Sequence, residues 1–219
     1  MQACLDSGPL VAYTLEGHAQ FELAKKVIHN PKPFTTEAAL AVAYKTVREI
    51  EERYRTGTLT YVGSVFAGGY TAKATLNAVE VASVKHLLPK TALGTRLEAD
   101  MAPRLRTGMT GAELGVLLND VANSAVLTDP TLYYKVVRLY VDVVGSSADT
   151  AVSQALTTLP PYEMELVLAA SAIGKTGKTV GIVTSNQTLL GQAAEIRAGS
   201  SVATVKTLKE YVADHVGAP

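Results

Sequence analysis

The feature that most constrains the fold is a helix-like apolar segment followed by a short apolar strand near the C-terminal end of the chain. Residues 162–170 form the segment, and residues 180–183 form a run that leads into Thr184, Ser185 and Asn186. A short apolar run bounded by polar residues is typical of a strand buried on both faces, as in parallel sheets. Ligands and catalytic groups gather at the carboxyl ends of such strands. Candidate site residues are therefore expected where the apolar runs end.

The same pattern recurs elsewhere and predicts the fold class. Residues 2–5 predict a strand that ends at Asp6, and residues 202–205 predict another strand before a terminal helix. Helices alternating with short strands indicate an α/β fold of three layers, with a central, mostly parallel sheet flanked by helices. A chain of 219 residues fits one domain, so residues 1–219 are expected to form a single unit.

The middle of the chain is predicted to be mainly helical. Apolar residues recur at helical spacing from about Thr36 to Tyr54, and another helix is predicted from Pro130 to about Val144. Residues 58–70 are rich in Gly, Thr and branched or aromatic residues, which predicts a hairpin or a flexible excursion.

Composition narrows the function classes. Lys plus Arg and Asp plus Glu are both 20, so no global field attracts nucleic acid. The only cysteine, Cys4, excludes an internal disulfide and a multi-cysteine metal site. No apolar run approaches the roughly 20 residues of a membrane span, and the start lacks a basic region before an apolar stretch. We expect no membrane association and a cytoplasmic location.

Two acids in the first half of the chain are candidates for chemistry. Asp6 follows the first predicted strand, where it either faces a ligand crevice or serves as a turn or N-cap residue. Glu80 shares a predicted helix face with Leu76 and Val84. A carboxylate on that face is costly unless it is paired or bound to a metal. The alternative is that Glu80 lies at the edge of a helix that is apolar on most sides.

Two further candidates lie in the second half. Glu163 opens a helix, where it either belongs to a site or complements the helix dipole. Glu165 is about 200° away around that helix and does not share the face. Asn186 is either a turn residue or a neutral oxygen ligand.

Several carboxylates at one sheet edge suit Mg²⁺ or Mn²⁺, which points to phosphodiester hydrolysis.

These segments together resemble the PIN-domain nuclease family. Four segments carry the resemblance, each with one family site residue: residues 4–13 with Asp6, 76–87 with Glu80, 162–163 with Glu163, and 183–189 with Asn186. The resemblance implies a PIN-type endoribonuclease dependent on Mg²⁺ or Mn²⁺, with the three acids catalytic and all four residues as metal ligands. It further implies RNA as substrate, an antitoxin protein as partner if the chain is a toxin, and a homo-oligomer.

The chain also departs from the family pattern. The long separations between its acids imply insertions near residues 34–73 and 89–109. Glu37 is a rival to Glu80 as the second acid, and the choice between Glu163 and Glu165 stays open. Because Glu163 replaces a shorter Asp and Asn186 replaces an acid, a second hypothesis is a PIN-like binding or assembly module without turnover. A third is a self-assembling structural protein.

Overall fold

A computed structural model describes residues 1–15, 18–29, 32–126 and 139–216. The described residues divide into two units: residues 1–47 with 139–216, and residues 48–126. The second unit includes residues 48–73 and 89–109, which are parts of the two predicted insertions. Residues 34–47, predicted to belong to an insertion, are part of the first unit.

The first unit is built on a five-stranded sheet. Its strands are β1 Gln2–Leu5, β2 Phe34–Thr36, β3 Asp142–Val144, β4 Val180–Val183 and β5 Thr204–Lys206. The order across the sheet is β3-β2-β1-β4-β5, and every neighbouring pair is parallel. The predicted three-layer α/β fold with a central parallel sheet is confirmed.

Eleven α-helices lie within the described residues. They are α1 Ser7–Thr14, α2 Phe21–Ile28, α3 Glu37–Ala67, α4 Ala78–His86, α5 Ala92–Met101, α6 Gly111–Val126, α7 Thr150–Ala155, α8 Pro161–Gly174, α9 Gln187–Gly191, α10 Ala193–Gly199 and α11 Leu208–His215. None of them combines the length and apolar character that crossing a bilayer requires.

Helices cover both faces of the sheet because alternate strand residues point to opposite sides. Leu5 and Val183 pack in one core with α1, α2, the start of α3, and α11. Cys4 and Ile182 pack in the other core with α7, α8, α9 and α10. Cys4 is fully buried.

The second unit is helical and has its own core. Buried apolar residues of α3, α4, α5 and α6 form it, among them Val65, Val84, Leu97 and Leu117. These apolar side chains are removed from water as they pack together. This burial stabilises a unit that has no strand among its described residues.

Two predictions of secondary structure were wrong. Residues 58–67 continue α3 instead of forming a hairpin. The hydroxyls of Thr58, Thr60 and Ser64 donate to carbonyls four residues earlier, at 2.8–2.9 Å. These bonds let polar, branched residues remain helical. Residues 142–144 form β3 beside β2 instead of ending a helix, and the earlier part of that predicted helix lies outside the described residues.

Candidate functional site

The strand order places a switch point between β1 and β4. From β1 the chain adds β2 and β3 on one side, and it adds β4 and β5 on the other. In open α/β sheets, ligands bind at the carboxyl ends of the strands where the direction reverses. Leu5 pairs with Val183 at the end of this ladder, so Asp6 and Thr184 follow side by side.

Asp6 is a buried carboxylate whose two oxygens both accept hydrogen bonds. It is 1% exposed, and Oδ1 accepts from the Ser7 backbone N–H at 2.6 Å and from the Ser7 hydroxyl at 3.2 Å. The Tyr162 phenol also donates to Oδ1, and the Thr184 hydroxyl donates to Oδ2 at 2.5 Å. These donors compensate for the burial of the carboxylate.

Tyr162 and Thr184 bring the long-range donors to Asp6. Burial, followed by the neighbouring Asp6 carboxylate, raises the pKa of the Tyr162 phenol. The phenol is therefore protonated at neutral pH and acts as a hydrogen-bond donor. Neither residue was predicted as a site residue, because a Tyr in a first helical turn and a Thr after a strand have many roles. The available signal was that Tyr162 directly precedes Glu163 and that Thr184 lies two residues before Asn186.

Glu163 and Asn186 are also brought together. Glu163 lies in the first turn of α8, is 9% exposed, and accepts a hydrogen bond on Oε1 from Asn186 Nδ2 at 2.8 Å. Asn186 caps α9, since its Oδ1 accepts from the Thr188 backbone N–H at 2.9 Å. Its own N–H donates to Thr184 Oγ1 at 2.8 Å.

These contacts join five residues into one carboxylate network: Asp6, Tyr162, Glu163, Thr184 and Asn186. The network links the ends of β1 and β4 to the first turn of α8. Three of the four residues predicted for the site thus lie in one hydrogen-bonded group within the first unit.

The fourth, Glu80, belongs to the second unit. Its carboxylate accepts from the Asn77 N–H at 2.8 Å, while the Asn77 side chain accepts from the Glu80 N–H, which makes a capping box for α4. Lys73 pairs with it at 3.1 Å. The Asn77 N–H first, and then Lys73, hold the pKa of Glu80 below its usual value. Its role in a site with Asp6 stays a prediction.

The two rival acids lie in the first unit. Glu37 is the first residue of α3, directly after β2, the strand beside β1. It is exposed and lies at the same edge of the sheet as Asp6, so topology favours it over Glu80 as a second acid. Glu165 is half-buried and is not part of the carboxylate network.

A close approach of two turns completes the edge. A Cβ on Gly8 would lie 2.2 Å from Ser185 Oγ, so glycine allows the first turn of α1 to lie against the residues after β4. Beside them is a pocket of about 210 Å³, lined by Pro9, Gln20, Thr184, Ser185, Gln187, Leu190, Thr207 and Leu208. None of these described lining residues is charged, and the pocket is smaller than the roughly 300–1,000 Å³ of most ligand pockets.

A divalent cation fits this arrangement poorly. Among the described residues, no three or more His, Cys, Asp or Glu side chains form a group suited to holding a metal ion. Mg²⁺ and Ca²⁺ take six or more oxygen ligands from protein and water, but both oxygens of Asp6 are occupied by protein donors, and Asn186 turns its nitrogen towards Glu163.

Comparisons with protein-family models, curated proteins and solved structures found no match to this chain. The resemblance to PIN-domain nucleases therefore rests on the four sequence segments alone.

Proposed function

We propose that the first unit is a PIN-like binding or assembly module that does not hydrolyse RNA. One observation carries the proposal: both carboxylates of the network accept hydrogen bonds from neighbouring protein groups. Hydroxyl and backbone donors satisfy Asp6, and the Asn186 amide satisfies one oxygen of Glu163.

The negative charge of the Asp6 and Glu163 carboxylates has to be compensated. Neighbouring carboxylates disfavour each other's charged forms, so a cluster of acids needs a cation or a shared proton. Here hydrogen-bond donors take that role instead, and such bonds to charged groups are among the strongest in proteins. A cation would have to displace these donors before it gained ligands. The proposal keeps the cytoplasm as the compartment and a second copy of the chain as the simplest assembly partner.

The second candidate is a metal-dependent PIN-type endoribonuclease, either alone or as a toxin held by an antitoxin protein. The position of Glu37 favours it. Glu37 follows β2, Asp6 follows β1, and Glu163 is tied to the residues after β4. Three carboxylates from adjacent elements therefore lie along one edge of the sheet.

Calorimetric titration with Mn²⁺ and cleavage of single-stranded RNA separate the two candidates. We expect the purified protein to take up no Mn²⁺ and to leave RNA intact. Stoichiometric Mn²⁺ uptake and RNA cleavage, both lost in Asp6→Asn with the circular dichroism spectrum preserved, would establish the nuclease instead. Light scattering on the same sample then distinguishes self-assembly from the binding of another molecule.

A further inference from the structure

We infer that Asn186 is the positioning residue that holds Glu163 in place of a cation, so that the amide nitrogen of this one side chain decides whether the edge takes a divalent ion. The inference rests on the proposed function and extends it by naming the atom responsible. It concerns three side chains of the network: Asn186, Glu163 and Asp6.

The orientation of the Asn186 amide is fixed by its surroundings. The Thr188 backbone N–H can only donate, so the atom that it meets at 2.9 Å is the amide oxygen. The nitrogen is thereby aimed at Glu163 Oε1, 2.8 Å away. The same side chain caps α9 through one atom and restrains a carboxylate through the other.

An aspartate at position 186 would keep the cap and reverse the second contact. Its oxygen would occupy the place of the nitrogen, at hydrogen-bond distance from Glu163. Two carboxylates about 3 Å apart cannot both ionise without compensation. Asp6 is linked to position 186 through the Thr184 hydroxyl, which donates to Asp6 and accepts from the backbone N–H of residue 186. The variant would therefore contain three acids in one network and would need a proton or a divalent cation between them.

The test is Asn186→Asp in the full chain, with Mn²⁺ as the probe and with calorimetry and thermal melting as readouts. We expect the variant to melt below the wild type without Mn²⁺ and to recover when Mn²⁺ is added. Its Mn²⁺ affinity should exceed that of the wild type by about 10- to 100-fold, the range by which residues around metal sites change affinity. Gln187→Glu, which adds the same charge at an exposed neighbouring position, should show no Mn²⁺ response.

A charge swap keeps the inference testable if the single variant does not fold. In Glu163→Gln with Asn186→Asp, the glutamine amide donates to the new aspartate, so the hydrogen bond and the net charge are both restored. This double variant should fold, melt near the wild type and ignore Mn²⁺. A folded Asn186→Asp without a Mn²⁺ response, or a swap that fails to restore folding, would overturn the inference and leave the proposed function standing. Mn²⁺ uptake by the wild type would instead overturn the proposed function.

Discussion

At the scale of single residues, Asp6 explains why the ends of β1 and β4 stay together. A buried carboxylate is costly unless donors surround it, and the donors to Asp6 come from Ser7, Tyr162 and Thr184. Removing the carboxylate, which is 1% exposed, would leave these groups without their acceptor. Asp6 is therefore a structural residue, whatever else the edge does.

Asp6→Ala is expected to lower the free energy of unfolding by about 2–4 kcal/mol, because buried donors lose a charged acceptor. Urea denaturation measures this change. Asp142→Ala is the matched control: Asp142 pairs with Lys32 at 2.6 Å, but both side chains are more than half exposed, so its loss should cost less than about 1 kcal/mol. Equal losses in the two variants would contradict the role given to Asp6.

Tyr162 gives the network a pH dependence. Its pKa is raised in the folded protein, above the value of about 10 in an unfolded chain. Its stabilising contribution is therefore complete below about pH 10 and is lost as the pH rises towards the folded pKa. Tyr162→Phe should reduce the loss of stability above about pH 10, measured by urea denaturation across pH. An unchanged pH profile would show that the pKa of this phenol is not raised in the folded protein.

At the scale of elements, Glu80 shows which local contacts a carboxylate chosen from the sequence makes in the structure. The sequence places it on a helix face with apolar neighbours, where a carboxylate is costly unless it is paired or bound to a metal. In the structure the Asn77 N–H and Lys73 use its oxygens. The spacing of Asn77 and Glu80 is that of a capping box, which was visible in the sequence.

Asn77→Ala is expected to lower the free energy of unfolding by about 0.5–2 kcal/mol, because α4 loses its N-cap. Glu80→Gln should have a smaller effect, since a glutamine at this position also completes a capping box. Thermal and urea unfolding measure both variants. A change in the Mn²⁺ response of Glu80→Gln would show instead that Glu80 belongs to a site with Asp6.

The sequence predicted best those elements whose signal is local. Strand β4 is a continuous apolar run, and α8 begins at a Pro pair, so both were predicted. Strand β2 was not predicted. It has three residues and leads directly into α3, and a strand of this length is too short for a hydrophobic period to appear in the sequence. The helix through Thr58 was missed because its hydroxyl bonds to the backbone are not a sequence pattern. Likewise, a carboxylate chosen from sequence cannot show which donors will meet it.

At the scale of the whole molecule, the two units have separate cores, and the carboxylate network lies wholly within the first. The sequence treated Asp6, Glu80 and Glu163 as one set, and the role of Glu80 in such a set stays a prediction. The net charge of zero gives no long-range attraction for RNA. Both features fit a module in which hydrogen-bond donors of the same unit compensate the negative charge of the carboxylates.

The most direct test of whether protein donors take the place of a cation is anomalous diffraction at the manganese edge, from crystals of the wild-type protein soaked in millimolar Mn²⁺. Our account predicts no anomalous peak at Asp6, Glu163 or Asn186, with the hydrogen bonds of the network unchanged. A strong peak among these three side chains, with Asn186 turned away from Glu163, would contradict it.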